Sequence, residues 1–562
     1  MTKFMFHSDN LKSGLIFFSA QVLLLAASLF WSPECFVHGS YFILLLLLLA
    51  VLHSWLSFRG PVLEKVRKYL PGFIGAALLT AVVAVSVKPM FRVTSDETNL
   101  ISTSYSLAFD KKADMTLQAA WLNGEFTPVS RDYDKRPLAF PFLTSLVHTA
   151  AGARYQNGFV VNSLVLFVLL AAVYWLSRQY LGVGPSLAMQ ILVLAHPVVA
   201  QAATSAGMDL AAAAFLLLSL AGLKAFSDSP SAARLQFFWL ASLFYFNSRY
   251  ESPLFAFLLL VGLMICAKDL PWRSFTFGWL WLTPLFLMPQ LWQRLAYGFR
   301  KDVAWNGYEF SISAILSNLK QCWLVLSRPD LYYPYASELI ALGFAAFVVF
   351  LIQRFKSPVS LERKEKIFIT VCTVIFCGLL LLTLAAIDTH PASQAASRLY
   401  LIPCIGLSLL AGGLLHGLLA KFRASSLLLP IAAALFLFHH SAAVRNNFPN
   451  SYPNPRELRN TLQFLENRDP RRFLLVAAWA PHYAALRYGS VNFEYLRTNR
   501  EWVRGRFESR DFPEILVLQN IDIQTGNPTA ETALEENIRL EKVCEFPNVP
   551  AYFSRISRIV SF

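Results

Sequence analysis

Two adjacent carboxylates, Asp96 and Glu97, follow directly on an apolar run and open a long polar stretch. Carboxylates at the mouth of a membrane domain are costly unless they are solvated, paired or used. Thr94-x-x-Glu97 also fits a helix capping box, and acids in a first helical turn are favoured by the helix dipole. The two readings are compatible, because a carboxylate held at a helix start is also placed to act as a base. Further along the same stretch, Lys135-Arg136-Pro137 precedes an apolar segment too short to span a membrane. Its charges either snorkel to the interface or clamp a phosphate at the lipid surface, where Arg offers a planar fork of donors.

Other chemistry-bearing residues lie at the ends of apolar runs. Asp209 follows His196-Pro197 and a small-residue turn, where it either caps a helix or, turned inward, orients a partner. Arg249 and Glu251 sit between two short apolar runs and can neutralise each other. Asp388, His390 and Arg398-Leu399-Tyr400 frame a later link, with Arg398 a second candidate phosphate contact and Tyr400 beside it. His148 stands alone, which is usually structural. The stretch 292–335 carries Trp292, Tyr297, Trp305, Tyr308, Trp323, Tyr332, Tyr333 and Tyr335. These read as an interfacial aromatic belt or as a groove for an isoprenoid chain or sugar. No Gly-rich phosphate loop, HExxH or GxSxG stands in a supporting context, so ATP-driven, zinc-protease and serine-hydrolase chemistry find no footing.

The elements that must position these residues are membrane spans. The 562 residues are 56% hydrophobic and 15% charged, against about 25% charged in soluble domains, and the mean hydropathy is +0.46. Continuous Leu/Ala/Phe runs exclude a transmembrane barrel. About thirteen spans are expected, near 13–31, 40–57, 70–90, 156–177, 186–203, 209–226, 236–248, 252–267, 275–291, 336–353, 367–386, 398–418 and 425–443. Lys3 and Lys12 precede the first run without a convincing cleavage site, which reads as a retained span.

The net charge of +14 is gathered in short links such as 58–69 and 354–366. The positive-inside rule produces that pattern, and it argues against nucleic-acid binding. These links are then cytoplasmic, and 91–155, 292–335, 387–397 and the tail lie outside. The expected fold is a polytopic α-helical membrane domain over 1–443 with a small extracytoplasmic α/β domain over 444–562. In the tail, Phe473–Val476 and Ile515–Leu518 are strand-like, and Glu457–Asn467 is helical. The seven cysteines show no CxxC or Cys/His ligand spacing. Cys322 and Cys544 fall on one side and could pair, but buried free thiols are the simpler reading. No internal repeat is evident, which removes the usual sign of an inverted-repeat transporter.

An acidic pair opening the first large outer loop, then a basic-Pro-Leu segment, then Pro197 and Asp209 at a later span start: this order resembles the GT-C superfamily of integral-membrane glycosyltransferases. It is most similar to the branch that holds the protein O-mannosyltransferases and the bacterial lipid A aminoarabinose transferase. The likeness covers roughly 75–440 in layout. It implies transfer of a sugar from a polyprenyl-phosphate carrier to a lipid, glycan or protein acceptor, at the outer face of a bacterial inner membrane and among membrane lipids. On that resemblance Asp96 is the catalytic acid of the pair with Glu97 beside it, Arg136 the basic residue near the carrier phosphate, and Asp209 the acid of the later span. Two departures stand out: the usual Lys-Pro is Lys135-Arg136-Pro137 here, and two extra spans precede the loop.

Such a transfer needs stabilisation of growing phosphate charge, from Arg136, Lys135 and Arg398, and a base opposite the leaving group, for which Asp96 fits. The acid pair could hold a hard divalent ion, but no complete ligand set is visible and no metal is expected. The competing class is a transporter or lipid-linked sugar flippase, which would share the spans, the intramembrane charges and the aromatic groove.

Overall fold

The computed structural model describes residues 19–23, 25–26, 33–57, 62–266, 278–298, 311–327, 335–356, 362–386, 394–419, 422, 425–445, 453–535, 537–549 and 552–562. Six of the described helices are long and apolar enough to cross a membrane: Glu34–Leu56, Lys68–Ser86, Asn157–Ser177, Asp209–Asp228, Lys364–Ala385 and Arg398–Leu419. A seventh crossing is made if Val183–Leu194 and Pro197–Ala203, bent by 78°, count as one. Thirteen were expected from the sequence; the difference lies mostly in expected spans that are shorter apolar helices, such as Ala232–Phe246, Ser252–Ile265, Ser337–Gln353 and Leu427–Ser441. The expected span 13–31 falls largely outside the described residues.

The bend has a local cause. Pro197 occupies the first turn of its helix, and His196 before it is extended, at φ −74° and ψ 116°. A residue before proline is pushed away from helical ψ, while proline itself suits a helix start. The apolar run is therefore broken at 196–197, and its second half turns back toward Asp209.

The stretch 91–155 is ordered rather than a loop. It holds the helix Thr94–Tyr105, the strands β1 (Asp114–Leu122) and β2 (Glu125–Tyr133), and the helix Ala139–Ala151. The hairpin turns at Asn123-Gly124, both at positive φ (52° and 81°), as a two-residue hairpin turn requires.

The tail contributes β3 (Phe473–Ala477), β4 (Ser490–Val491), β5 (Glu514–Asp522), β6 (Arg539–Val549) and β7 (Tyr552–Ser561). Both strand-like runs expected there are strands, and they pair in parallel, Leu474 opposite Ile515. The seven strands form one sheet in the order β2-β1-β4-β3-β5-β7-β6. Ala119 bridges Ser490 where the hairpin joins the tail, so the stretch 91–155 and the tail share a sheet. One face of the tail strands packs on Val491, Phe493, Leu496, Val503 and Phe512. The other carries Leu475, Leu516 and Ile556 into the same apolar cluster as the helices. Cys322 and Cys544, the pair considered from the sequence, are both free.

Candidate functional site

The helix Thr94–Tyr105 is the base of the site. Its start is not the expected capping box: Val93 is the N-cap and no side chain there accepts a cap hydrogen bond. Glu97 does the capping from within the helix. Its Oε1 accepts from the backbone N–H of Arg92 (3.2 Å) and of Val93 (3.0 Å), and its Oε2 from that of Ala206 (3.0 Å). Glu97 is only 2% exposed, and burial raises its carboxyl above the ordinary range against these bonds and the nearby Arg92. It ties the helix start to the turn after the bent apolar pair. Arg92 reinforces the tie, donating to the Gln201 carbonyl (2.9 Å) and Thr204 Oγ1 (2.8 Å).

Asp96, one residue earlier, faces the other way, into a row of alternating charges. Its Oδ1 accepts from Arg136 Nε (2.9 Å) and Nη2 (2.7 Å), and its Oδ2 from Arg398. Arg398 also lies 3.9 Å from Asp209. Asp209 pairs with Arg249, which pairs in turn with Glu251 at 2.5 Å. Six sequence-expected residues thus form one network drawn from five separate segments. Asp209 is the first residue of its helix, and its buried carboxylate is turned inward onto Arg249. The Arg249–Glu251 neutralisation holds, with Asp209 as a further partner.

Two expected contacts are placed elsewhere. Lys135 is exposed to solvent while Arg136, next to it, is buried. Tyr400 lies in the short Arg398–Tyr400 turn, buried against Tyr335 with ring centroids 6.1 Å apart. Asp388 and His390 lie outside the described residues, as do Trp305, Tyr308, Tyr332 and Tyr333. Of the expected aromatic set, Trp292 is buried against the first apolar helix and Trp323 is exposed.

The sequence reading missed three residues. Asp134 is fully buried, accepting from Thr103 Oγ1 (2.8 Å) and from Arg136 Nη1 (3.1 Å) and backbone N–H (3.0 Å). Gln293 then fixes the segment, its amide donating to the Asp134 (2.7 Å) and Arg136 (2.6 Å) carbonyls. Asp134 could have been found as the acid directly before the basic motif, two residues ahead of Arg136. His482 had no such signal. It comes from the tail helix Ala480–Ala484, and its Nδ1 lies 3.0 Å from Thr98 Oγ1 on the Asp96 helix.

The electrostatics follow from this packing. Burial by itself would raise the Asp96 carboxyl, but Arg398 and Arg136 outweigh it and hold the group well below the usual carboxylate range. Asp96 is therefore ionised at any working pH, and it is a poor base for as long as both guanidinium groups stay on it. A cavity of about 450 Å³ opens at the far end of the same helix, lined by Ser102, Tyr105, Thr116, Arg131 and Arg487. The Arg487 guanidinium sits 4.9 Å from the Phe126 ring centroid and 5.8 Å from that of Tyr105.

His482 supplies a pH dependence. Burial, with Arg136 nearby, lowers its imidazole to about 4 from an ordinary 6.5. The unfolded chain binds a proton across that interval and the folded chain does not, so stability falls as pH drops from about 6.5 to about 4. The loss is on the order of 3 kcal/mol at most. The expected result is a lower thermal midpoint in detergent at pH 4.5 than at pH 7, with a smaller drop for His482→Gln. An identical drop in both proteins would assign the effect to other groups.

No family model matches the chain, and no curated protein does. Among the solved structures similar to it are two of ArnT from Cupriavidus metallidurans. The form bound to undecaprenyl phosphate is 15% identical, with 86% of this chain and 97% of that chain covered and a TM-score of 0.46. The apo form is 13% identical over the same shares, with a TM-score of 0.41.

Proposed function

We propose that this protein is an integral-membrane glycosyltransferase. It moves a sugar from a polyprenyl-phosphate carrier to an acceptor hydroxyl on the extracytoplasmic face, with inversion at the sugar carbon. The observation that carries the reading is Asp96 held between Arg136 and Arg398, where apolar helices meet the mixed sheet. In this arrangement one carboxylate and two guanidinium groups share a point, and a phosphate is the anion that such a pair of guanidinium forks suits.

The chemistry balances on these residues. The carrier phosphate enters between Arg136 and Arg398 and takes up part of their charge. That releases Asp96 from its two partners, raising its basicity at the moment an acceptor hydroxyl approaches the opposite side of the sugar. The acceptor oxygen bonds to the sugar carbon as the bond from that carbon to phosphate oxygen breaks. The electron pair stays on the phosphate, stabilised by the two arginines, and the hydroxyl proton passes to Asp96. Asp209 and Arg249 keep Arg398 oriented. Glu97 belongs to the support of the helix rather than to the proton transfer.

The test incubates purified protein with labelled polyprenyl-phosphate sugars and membrane extract, and follows where the label goes. Label covalently attached to an acceptor is expected. Label that only changes leaflet in vesicles would replace the enzyme with a flippase. The orientation has its own check: a cysteine at Asp132, on a background without native cysteines, should react with an impermeant thiol reagent in intact spheroplasts. Reaction only after lysis would reverse the topology.

A further inference from the structure

We propose that Glu338, His439 and His440 form a zinc site that fastens the outer end of the last apolar helix to the start of the helix Ser337–Lys356. His439 and His440 lie near the end of the helix Ser425–Arg445, and Glu338 is in the first turn of its own helix. The three ligand atoms all lie within 4.8 Å of one another. His439 Nε2 is 3.6 Å and His440 Nε2 3.1 Å from the nearer Glu338 oxygen. Ligands at about 2.0–2.1 Å from a tetrahedral zinc stand roughly 3.3 Å apart, so each imidazole lies near that spacing from a different Glu338 oxygen, and an ion would draw the group, up to 4.8 Å across, closer together. Two imidazoles and one carboxylate favour zinc over calcium or magnesium, which prefer all-oxygen sites.

A second observation comes from the bent apolar pair. His196 is fully buried, and its Nδ1 accepts from the backbone N–H of Ala336 at 3.3 Å, two residues before Glu338. A neutral ring used in that way carries its proton on Nε2, and that buried Nε2 has no hydrogen-bond partner among the described residues. The helix that carries His439 and His440 packs on Pro197–Ala203, which begins next to this ring. Three protein ligands leave a tetrahedral zinc one open position. A water held there gives the His196 Nε2–H an acceptor, and the bend at Pro197 is then tied to the same point. Without a metal, the cluster is a pair of His–Glu contacts, one of them made by the exposed His439.

The experiment uses the full chain in detergent, purified through a histidine-free tag, stripped with chelator and re-dialysed against limiting zinc. Elemental analysis is expected to find about one zinc per chain, and zinc to raise the thermal midpoint of the wild type. Glu338→Gln and His440→Gln should lose the metal and the shift together. If His440→Gln fails to fold, the exposed His439→Gln should still fold and bind zinc at least about tenfold more weakly. Zinc content unchanged in these variants, or no zinc retained by the wild type, would overturn the site.

Discussion

Asp96→Asn abolishes sugar transfer while leaving the protein folded. Asparagine keeps the size and one acceptor oxygen but cannot take a proton from an acceptor hydroxyl. Loss of a positioned general base costs about 10²–10⁴-fold in rate. Folding should survive because neither arginine is orphaned: Arg136 keeps Asp134 at 3.1 Å, and Arg398 remains 3.9 Å from Asp209. The measurement is the initial rate with labelled donor, with elution profile and thermal midpoint as controls. Wild-type turnover by the Asn variant would reduce Asp96 to an ion-pair anchor. Glu97→Gln should do the reverse, leaving the rate per folded molecule near wild type. It loses stability by about 1.5–3 kcal/mol as a charged acceptor for three backbone N–H groups is replaced by a neutral one.

The second large effect is at Arg136. Arg136→Ala should impair use of the polyprenyl-phosphate donor by about 10–100-fold, the equivalent of one charge-assisted hydrogen bond of roughly 1.5–3 kcal/mol. It should also destabilise the protein, since it leaves the fully buried Asp134 without its cation. Removing one partner of a buried ion pair costs about 3–5 kcal/mol. Arg136→Lys separates the two consequences: it returns a charge to Asp134 but not the planar fork, so stability should recover further than donor use. Lys135→Ala, at an exposed position, should be nearly silent in both. Donor titrations at fixed acceptor, read beside thermal midpoints, decide the matter. Equal and negligible effects on donor use at 135 and 136 would mean that the basic pair only anchors its segment, and would move the phosphate contact to Arg398 or Arg249.

Much of the site was legible because its members stand where apolar runs end. A charge at such a position is conspicuous against the hydrocarbon requirement, and Asp96, Arg136, Asp209, Arg249 and Arg398 were all found that way. What could not be read was how they pair. Arg249 looked self-sufficient with Glu251 beside it, yet it also holds Asp209, forty positions away. Glu97 reads only as the neighbour of Asp96, but one step along a helix turns a side chain by about 100°, enough to send one carboxylate to backbone and the other to arginines. The hairpin inside 91–155 was signalled by Asn123-Gly124 between β-prone runs and was passed over as polar loop.

The sequence by itself determined the membrane class, the strand-like runs of the tail and the residues with chemistry to offer. Each of these depends on a local property: the length of an apolar run, a short β-prone segment, or a charge at a run's end. Only the tertiary structure decided that the hairpin and the tail share one sheet, that His482 reaches the Asp96 helix from 384 positions away, and that Arg136 is buried while Lys135 is not. The reason is that these outcomes depend on which buried polar groups find partners across the packed chain. Desolvation makes an unpaired charge in that junction so costly that the arrangement is chosen by the whole network at once.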